Sequence, residues 1–144
     1  MNRVGWTVCG ILLIILAGCG DGRPHRVPVS GQILIDGKPL SQGTIRLVSE
    51  NARPATGTIG PDGRFSLGTY ERDDGCVPGR HRVAVVALEI INGSAQRWHA
   101  PKKYAQPGSS GLSVDISEAT DSLSIELSWN GQPGPVVERF GSSP

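Results

Sequence analysis

Hydrophobic and polar positions along the chain change rhythm once. From Val4 to Ala17 the residues carry no charge and are mostly Ile, Leu, Val and Gly, with Arg3 just ahead of them. A short basic start followed by an apolar block is the layout of a secretory signal. The block is shorter than the ~20 apolar residues of a membrane span and ends in small residues, so a single-pass anchor is the weaker reading. From Pro28 the period becomes two. Val29, Gly31, Ile33 and Ile35 alternate with Ser30, Gln32 and Leu34, and Asp36-Gly37 then marks a tight turn. Thr44–Val48, Ala55–Ile59 and Arg64–Thr69 read as further strands, with Gly60-Pro61-Asp62-Gly63 as the turn before the last. His81–Leu88 is apolar on both faces, which predicts a strand inside a sheet. Leu112–Ile116 and Leu123–Leu127 complete the set, with Asp121-Ser122 between them as the turn.

Seven short strands with regular turns and no helical period predict a small all-β sandwich. Its core is expected to hold Val29, Ile33, Ile35, Ile45, Leu47, Phe65, Leu67, Val83, Val85, Leu112, Val114, Leu123, Ile125 and Leu127. Residues 92–111 read as a long Gly, Ser and Pro-rich connection, and residues 129–144 as a flexible C-terminal tail.

The apolar block ends in Leu16-Ala17-Gly18-Cys19, which resembles the bacterial lipobox. In that motif the thiol is joined to diacylglycerol and the signal is then removed, the small residues letting the peptidase close on the backbone. The resemblance implies a signal peptide over 1–18 and an acylated Cys19. It also implies attachment to a membrane of the bacterial cell envelope, with the domain facing the periplasm or exterior. Each buried methylene adds about 0.8 kcal/mol, so several acyl chains hold lastingly. Residues 19–27 are then the lipidated cysteine and a polar tether, in which Arg23, His25 and Arg26 are placed to meet anionic head groups. The sandwich spans 28–128.

Removing residues 1–18 takes away Arg3 alone, leaving 13 of the 14 basic residues against 13 acidic ones. That balance gives no basic patch to track a phosphate backbone and argues against nucleic acid. Of the three cysteines, Cys9 leaves with the signal and Cys19 takes the lipid, so Cys76 remains as a single thiol that forms no intramolecular disulfide. Beside Asp73 and Asp74 it is expected to be passive and partly buried.

Several short stretches carry a resemblance to a known family. Val29-Ser30-Gly31-Gln32-Ile33 with Asp36-Gly37-Lys38-Pro39-Leu40 looks like the opening of carboxypeptidase-regulatory-like domains. Gly60-Pro61-Asp62-Gly63-Arg64-Phe65 and Pro78-Gly79-Arg80-His81-Arg82-Val83 are similar to their second and third signatures. Tyr104 and Ser110-Gly111-Leu112-Ser113-Val114 resemble a stretch in short planctomycetal lipoproteins of this kind. The resemblance covers about residues 28–127. It implies a Greek-key-type sandwich like transthyretin (prealbumin), and an accessory rather than catalytic role.

Candidate chemistry is sparse. No Gly-x-Ser-x-Gly elbow is present, and His25, His81 and His99 fall in the tether, at a strand start and in a loop. A triad is recognised by geometry rather than spacing, but with no constellation legible an enzyme is not expected. Neither a zinc spacing nor a calcium-loop pattern occurs, so neither metal nor cofactor is expected. Trp98-His99-Ala100-Pro101-Lys102-Lys103-Tyr104 is the strongest surface candidate, since aromatics beside cations on a long connection make a platform for a ligand or partner. Trp98, Lys102, Lys103 and Tyr104 would form that surface, unless Trp98 and Tyr104 fold back to cover the sheet edge. The expected function is a non-enzymatic, lipid-anchored structural or protein-interaction module. The alternative is a carbohydrate- or peptide-binding module, with an envelope protein or glycan as partner.

Overall fold

The computed structural model describes Gly18 and residues 20–141. Residues 1–17 and Cys19, which carry most of the expected signal and the acylation site, lie outside the described residues. No helix among the described residues is long and apolar enough to cross a membrane.

The described chain is all-β. Its strands are β1 (Val29–Ile35), β2 (Lys38–Pro39), β3 (Gly43–Val48), β4 (Ala55–Ile59), β5 (Arg64–Ser66), β6 (Gly79–Val86), β7 (Leu88–Asn92), β8 (Ala95–Trp98), β9 (Ser113–Ile116), β10 (Thr120–Leu127) and β11 (Val136–Arg139). Seven of these eleven fall where the alternating pattern places strands, and β2, β7, β8 and β11 are additional. β10 runs parallel to β1 on one edge, while β2 and β5 pair antiparallel with the other edge of β1 in tandem. A second sheet has the order β4-β3-β6-β9, and a third has the order β11-β8-β7.

Local chemistry explains these elements. Asp36 and Gly37 have φ of 48° and 81°, and they join β1 to β2 as the two-residue turn that twisted strands favour. At Gly31 a Cβ would run into the Leu123 carbonyl, so only glycine lets β10 approach β1 at the irregular start of their pairing. Along β3 and β4, Ile45, Leu47, Ala55 and Ile59 point inward while Thr44, Arg46, Thr56 and Thr58 face solvent. In β6, Val83, Ala84 and Val85 are all buried, consistent with its place between β3 and β9.

One core joins the first two sheets, and the third sheet contributes none of its residues to it. Of the fourteen expected core positions ten are buried, and Ile35, Leu112, Val114 and Leu123 pack against them half-buried, so the strand registers read from the pattern hold. Leu40, Ile59, Cys76, Ala87, Ala100, Tyr104 and Ile116 join the core as well. Cys76 is 1% exposed, and burial pushes its thiol up to about 11.

Four expectations about strands and their connections require correction. The His81–Leu88 run is not one strand: Ala87, fully buried, breaks it, and its carbonyl takes the N–H of His99 at 2.8 Å, swinging Leu88 into the third sheet. The connection 92–111 contains β8 and a 3-10 turn, Lys102–Ala105. Asp121 and Ser122 lie inside β10, and Ser117–Ala119 connects β9 to it. The stretch 129–144 is not a tail throughout, because β11 pairs with β8 from Val136↔Trp98 to Arg139↔Ala95.

The N-terminal segment is fastened rather than loose. Val27 and Cys76 exchange two backbone hydrogen bonds, at 2.9 and 3.0 Å. Arg23 reaches Glu71 at 3.0 Å and Arg26 reaches Asp74 at 3.0 Å. Both guanidiniums also stack on the Tyr70 ring at 4.9 Å.

Candidate functional site

The third sheet projects from the far end of β6 and carries most of the exposed large apolar side chains. Ile90 is 66% exposed and Phe140, just beyond β11, is 50% exposed; Ile91, Val136 and Val137 are also open to solvent. β7 and β11 are the edges of this sheet, so their outer backbone groups are not paired within it. This gathering of exposed apolar groups on one short sheet makes it the candidate interaction surface.

Trp98 ends β8, and its neighbours across the sheet are Leu88 and Val136. Its indole N–H donates to Glu138 Oε2 at 3.2 Å, which fixes the ring. Gln96 donates to the same oxygen at 2.8 Å, and Lys102 donates to Oε1 at 2.6 Å. The Lys102 bond, then those of Gln96 and Trp98, bring the Glu138 carboxyl down to about 2. Lys102 also lies over the Trp98 ring, 5.4 Å from its centre. On the opposite face, Glu89 takes bonds from His99 at 2.8 Å and Arg97 at 3.0 Å, and these hold its carboxyl below the usual range.

Between this sheet and the segment after β10 lies a cleft of about 470 Å³. Its walls are mainly the rings of Trp98, Trp129, Pro101 and Pro133 with Val136, joined by the cations Lys102 and Lys103 and by the amides of Asn130 and Gln132. The Trp129 ring packs on the backbone of Gly134, where a side chain would collide with the indole. Such a wall suits stacking against a sugar ring or a proline-bearing peptide.

Of the residues expected to form a surface, Trp98, Lys102 and Lys103 line the cleft. Tyr104 does not: it is 5% exposed, with Lys103 stacked 4.7 Å from its ring centre. Its hydroxyl accepts from the Ser128 N–H at 3.1 Å and donates to the Ser128 carbonyl at 3.4 Å. The residue closes the core beside the second half of β6, because β9 pairs only with its first half, Gly79–Arg82. Trp129, Val136 and Glu138 were not anticipated. The β-branched pair Val136-Val137 followed by Phe140, and a tryptophan in a Gly/Pro-rich stretch, were the available signals.

No family model, no curated protein and no solved structure matches this chain. The site therefore stands on its own geometry.

A second cluster surrounds Tyr70 at the other end of β6. Asp74 accepts the Thr69 N–H at 2.6 Å, the Glu71 N–H at 3.2 Å and a longer bond from the Tyr70 N–H. Burial raises the Asp74 carboxyl, but those three N–H groups and Arg26 together outweigh it and hold it below its ordinary value. Arg23 and Arg26, read from the sequence as head-group contacts, are committed to Asp21, Glu71 and Asp74. Among the described residues no group of His, Cys, Asp and Glu is arranged to hold a metal ion.

Proposed function

We propose that the chain is a non-enzymatic, lipid-anchored interaction module of a bacterial envelope, attached through acylated Cys19 and presenting its third sheet to a partner. Its sandwich would be of the Greek-key, transthyretin-like kind found in carboxypeptidase-regulatory-like domains, which serve as accessory modules. One observation carries the interaction reading. The fastened N-terminal segment meets the domain at Val27 and Cys76, three residues before β6 begins, whereas the exposed apolar sheet leaves the opposite end of β6. An anchor at one end and an uncovered apolar sheet at the other is the arrangement of a presenting module.

The ring-walled cleft favours a second reading, in which the module binds a carbohydrate or peptide through Trp98 and Trp129, with Asn130 and Gln132 offering amide groups.

Two measurements test the proposal. Mass spectrometry of the processed N-terminus should find acylated Cys19 in the wild type and no acylation in Cys19→Ser; a soluble product starting elsewhere would remove the anchoring half. A photo-crosslinker at Val137 should trap a discrete partner in cells, and one at Glu126 on β10 should not. Equal trapping at both positions would remove the interaction half.

A further inference from the structure

The chain's balanced charge conceals an uneven placement of its arginines. Arg23, Arg26, Arg97 and Lys102 each have a carboxylate within 4 Å. Arg46 and Arg53, like Arg64, Arg72, Arg80, Arg82 and Arg139, have none among the described residues, and what sets these two apart is the space they share. These two meet at a cleft of about 390 Å³ on the solvent face of β3 and β4, lined by Thr44, Arg46, Arg53, Pro54, Thr56 and Thr69. No carboxylate contributes to its wall.

Strand geometry gathers the donors. Arg46 lies directly opposite Thr56 in the β3–β4 register, and Thr44 follows two residues away on the same face. Directly opposed side chains start about 5 Å apart, so a guanidinium and two hydroxyls border one space. Arg53 enters from the loop between the strands, held by stacking on the Tyr70 ring at 5.5 Å. Stacking uses the face of the guanidinium and leaves its N–H groups at the edges open. The Tyr70 ring is itself fixed by Arg23 and Arg26, whose charges are already matched by Asp21, Glu71 and Asp74. Thr69 adds wall but no donor, since its hydroxyl is given to the Gly75 carbonyl at 2.7 Å.

We infer that this cleft binds a phosphate group, with Arg46 and Arg53 as its charge partners and Thr44 and Thr56 as hydroxyl donors. A planar carboxylate is filled by one guanidinium fork, whereas two forks and two hydroxyls arriving from two strands and a loop suit a tetrahedral oxyanion. A membrane headgroup and a soluble phosphate ester share that chemistry. The site does not depend on acylation of Cys19 or on the third sheet.

The test is calorimetric titration of the full chain in neutral detergent with inorganic phosphate. A second titration uses dihexanoyl-phosphatidylglycerol below its micelle concentration. Saturable binding is expected, weakening with added salt. Arg46→Gln and Arg53→Gln should each weaken it roughly tenfold, the loss expected for one charge-assisted contact. Arg139→Gln on β11 should leave it unchanged. Tighter binding of the lipid than of phosphate identifies a headgroup source, and the reverse a soluble ester; both uphold the site. Absence of saturable binding to either probe, or binding indifferent to both glutamine variants, overturns it. Unfolding midpoints of the two variants equal to wild type exclude misfolding as the cause of any loss, because both side chains are exposed.

Discussion

Replacing Tyr104 tests whether the Trp98–Tyr104 segment supports the fold or only serves a ligand. The ring is 5% exposed and belongs to the main core, so Tyr104→Ala opens a cavity beside β6 and β10. Truncating a buried aromatic costs about 3 to 5 kcal/mol. The Ser128 N–H, which the hydroxyl accepts at 3.1 Å, loses its partner as well, adding about 1 kcal/mol. Tyr104→Phe isolates that second contribution and should cost about 1 kcal/mol, because the ring volume stays. Trp98 is half-buried, and Glu138 keeps Lys102 and Gln96 when the indole leaves. Trp98→Ala should therefore cost about 1 to 2 kcal/mol, well below Tyr104→Ala. Urea unfolding of chains beginning at Gly20, followed by circular dichroism, resolves these differences. A domain of this size holds about 5 to 15 kcal/mol, so Tyr104→Ala should remove about a quarter or more of its stability. The reasoning fails if Tyr104→Ala stays within about 0.5 kcal/mol of wild type. It also fails if Tyr104→Phe is as damaging as Tyr104→Ala, since the ring would then contribute nothing.

Two further outcomes follow from groups on either side of Gly75. The Asp74 carboxyl is lower in the folded chain than its ordinary 3.8, so the stability it contributes is complete above that value and is lost as pH falls through the depressed folded value. Asp74→Ala should cost about 2 kcal/mol near neutral pH, and its deficit relative to wild type should shrink in unfolding curves recorded below about pH 4; a deficit constant with pH would contradict this. Cys76, 1% exposed with its thiol pushed up to about 11, should resist maleimide in native buffer and react on unfolding in urea; rapid labelling of the native chain would show that its environment is open.

What the sequence reveals depends on whether a signal is local. The seven strands with alternating or doubly apolar patterns are legible because each reports its own burial, two or three residues at a time. β2 is two residues long, too short for any period. The break at Ala87 is invisible because apolar residues continue on both sides, and what causes it is a hydrogen bond from His99. β11 is short and exposed and depends on a partner about forty residues away. β8 forms a local hairpin with β7, for which Asn92-Gly93 was an available turn signal that the Gly, Ser and Pro-rich composition around it masked. At the site, Trp98 and Lys102 are legible as an aromatic beside cations. Glu138, which organises both, sits in a Gly/Pro-rich stretch that composition alone marks as unstructured. Composition also reads residues 19–27 as a solvated tether, because the partners of Arg23 and Arg26 lie nearly fifty residues downstream.

That fastening changes what an anchor at Cys19 would accomplish. Under the proposed acylation, nine free residues from 19 to 27 would have a root-mean-square reach of about 17 Å. With Arg23 to Val27 held on the domain by Glu71, Asp74, Tyr70 and Cys76, about four residues remain, with a reach of about 11 Å. The end bearing Tyr70 is then kept close to the bilayer. β6 alone, at eight residues, spans about 26 Å from that end before the third sheet begins. If Cys19 is acylated and β6 points away from the bilayer, the exposed Ile90, Val137 and Phe140 would stand clear of the membrane, and another protein or a glycan would cover them rather than the anchoring leaflet. In that orientation the arginine cleft beside Tyr70 would lie at the proximal end, within reach of phosphates on that surface. The two sites would then engage different partners at the same time, because the length of β6 keeps one from occluding the other.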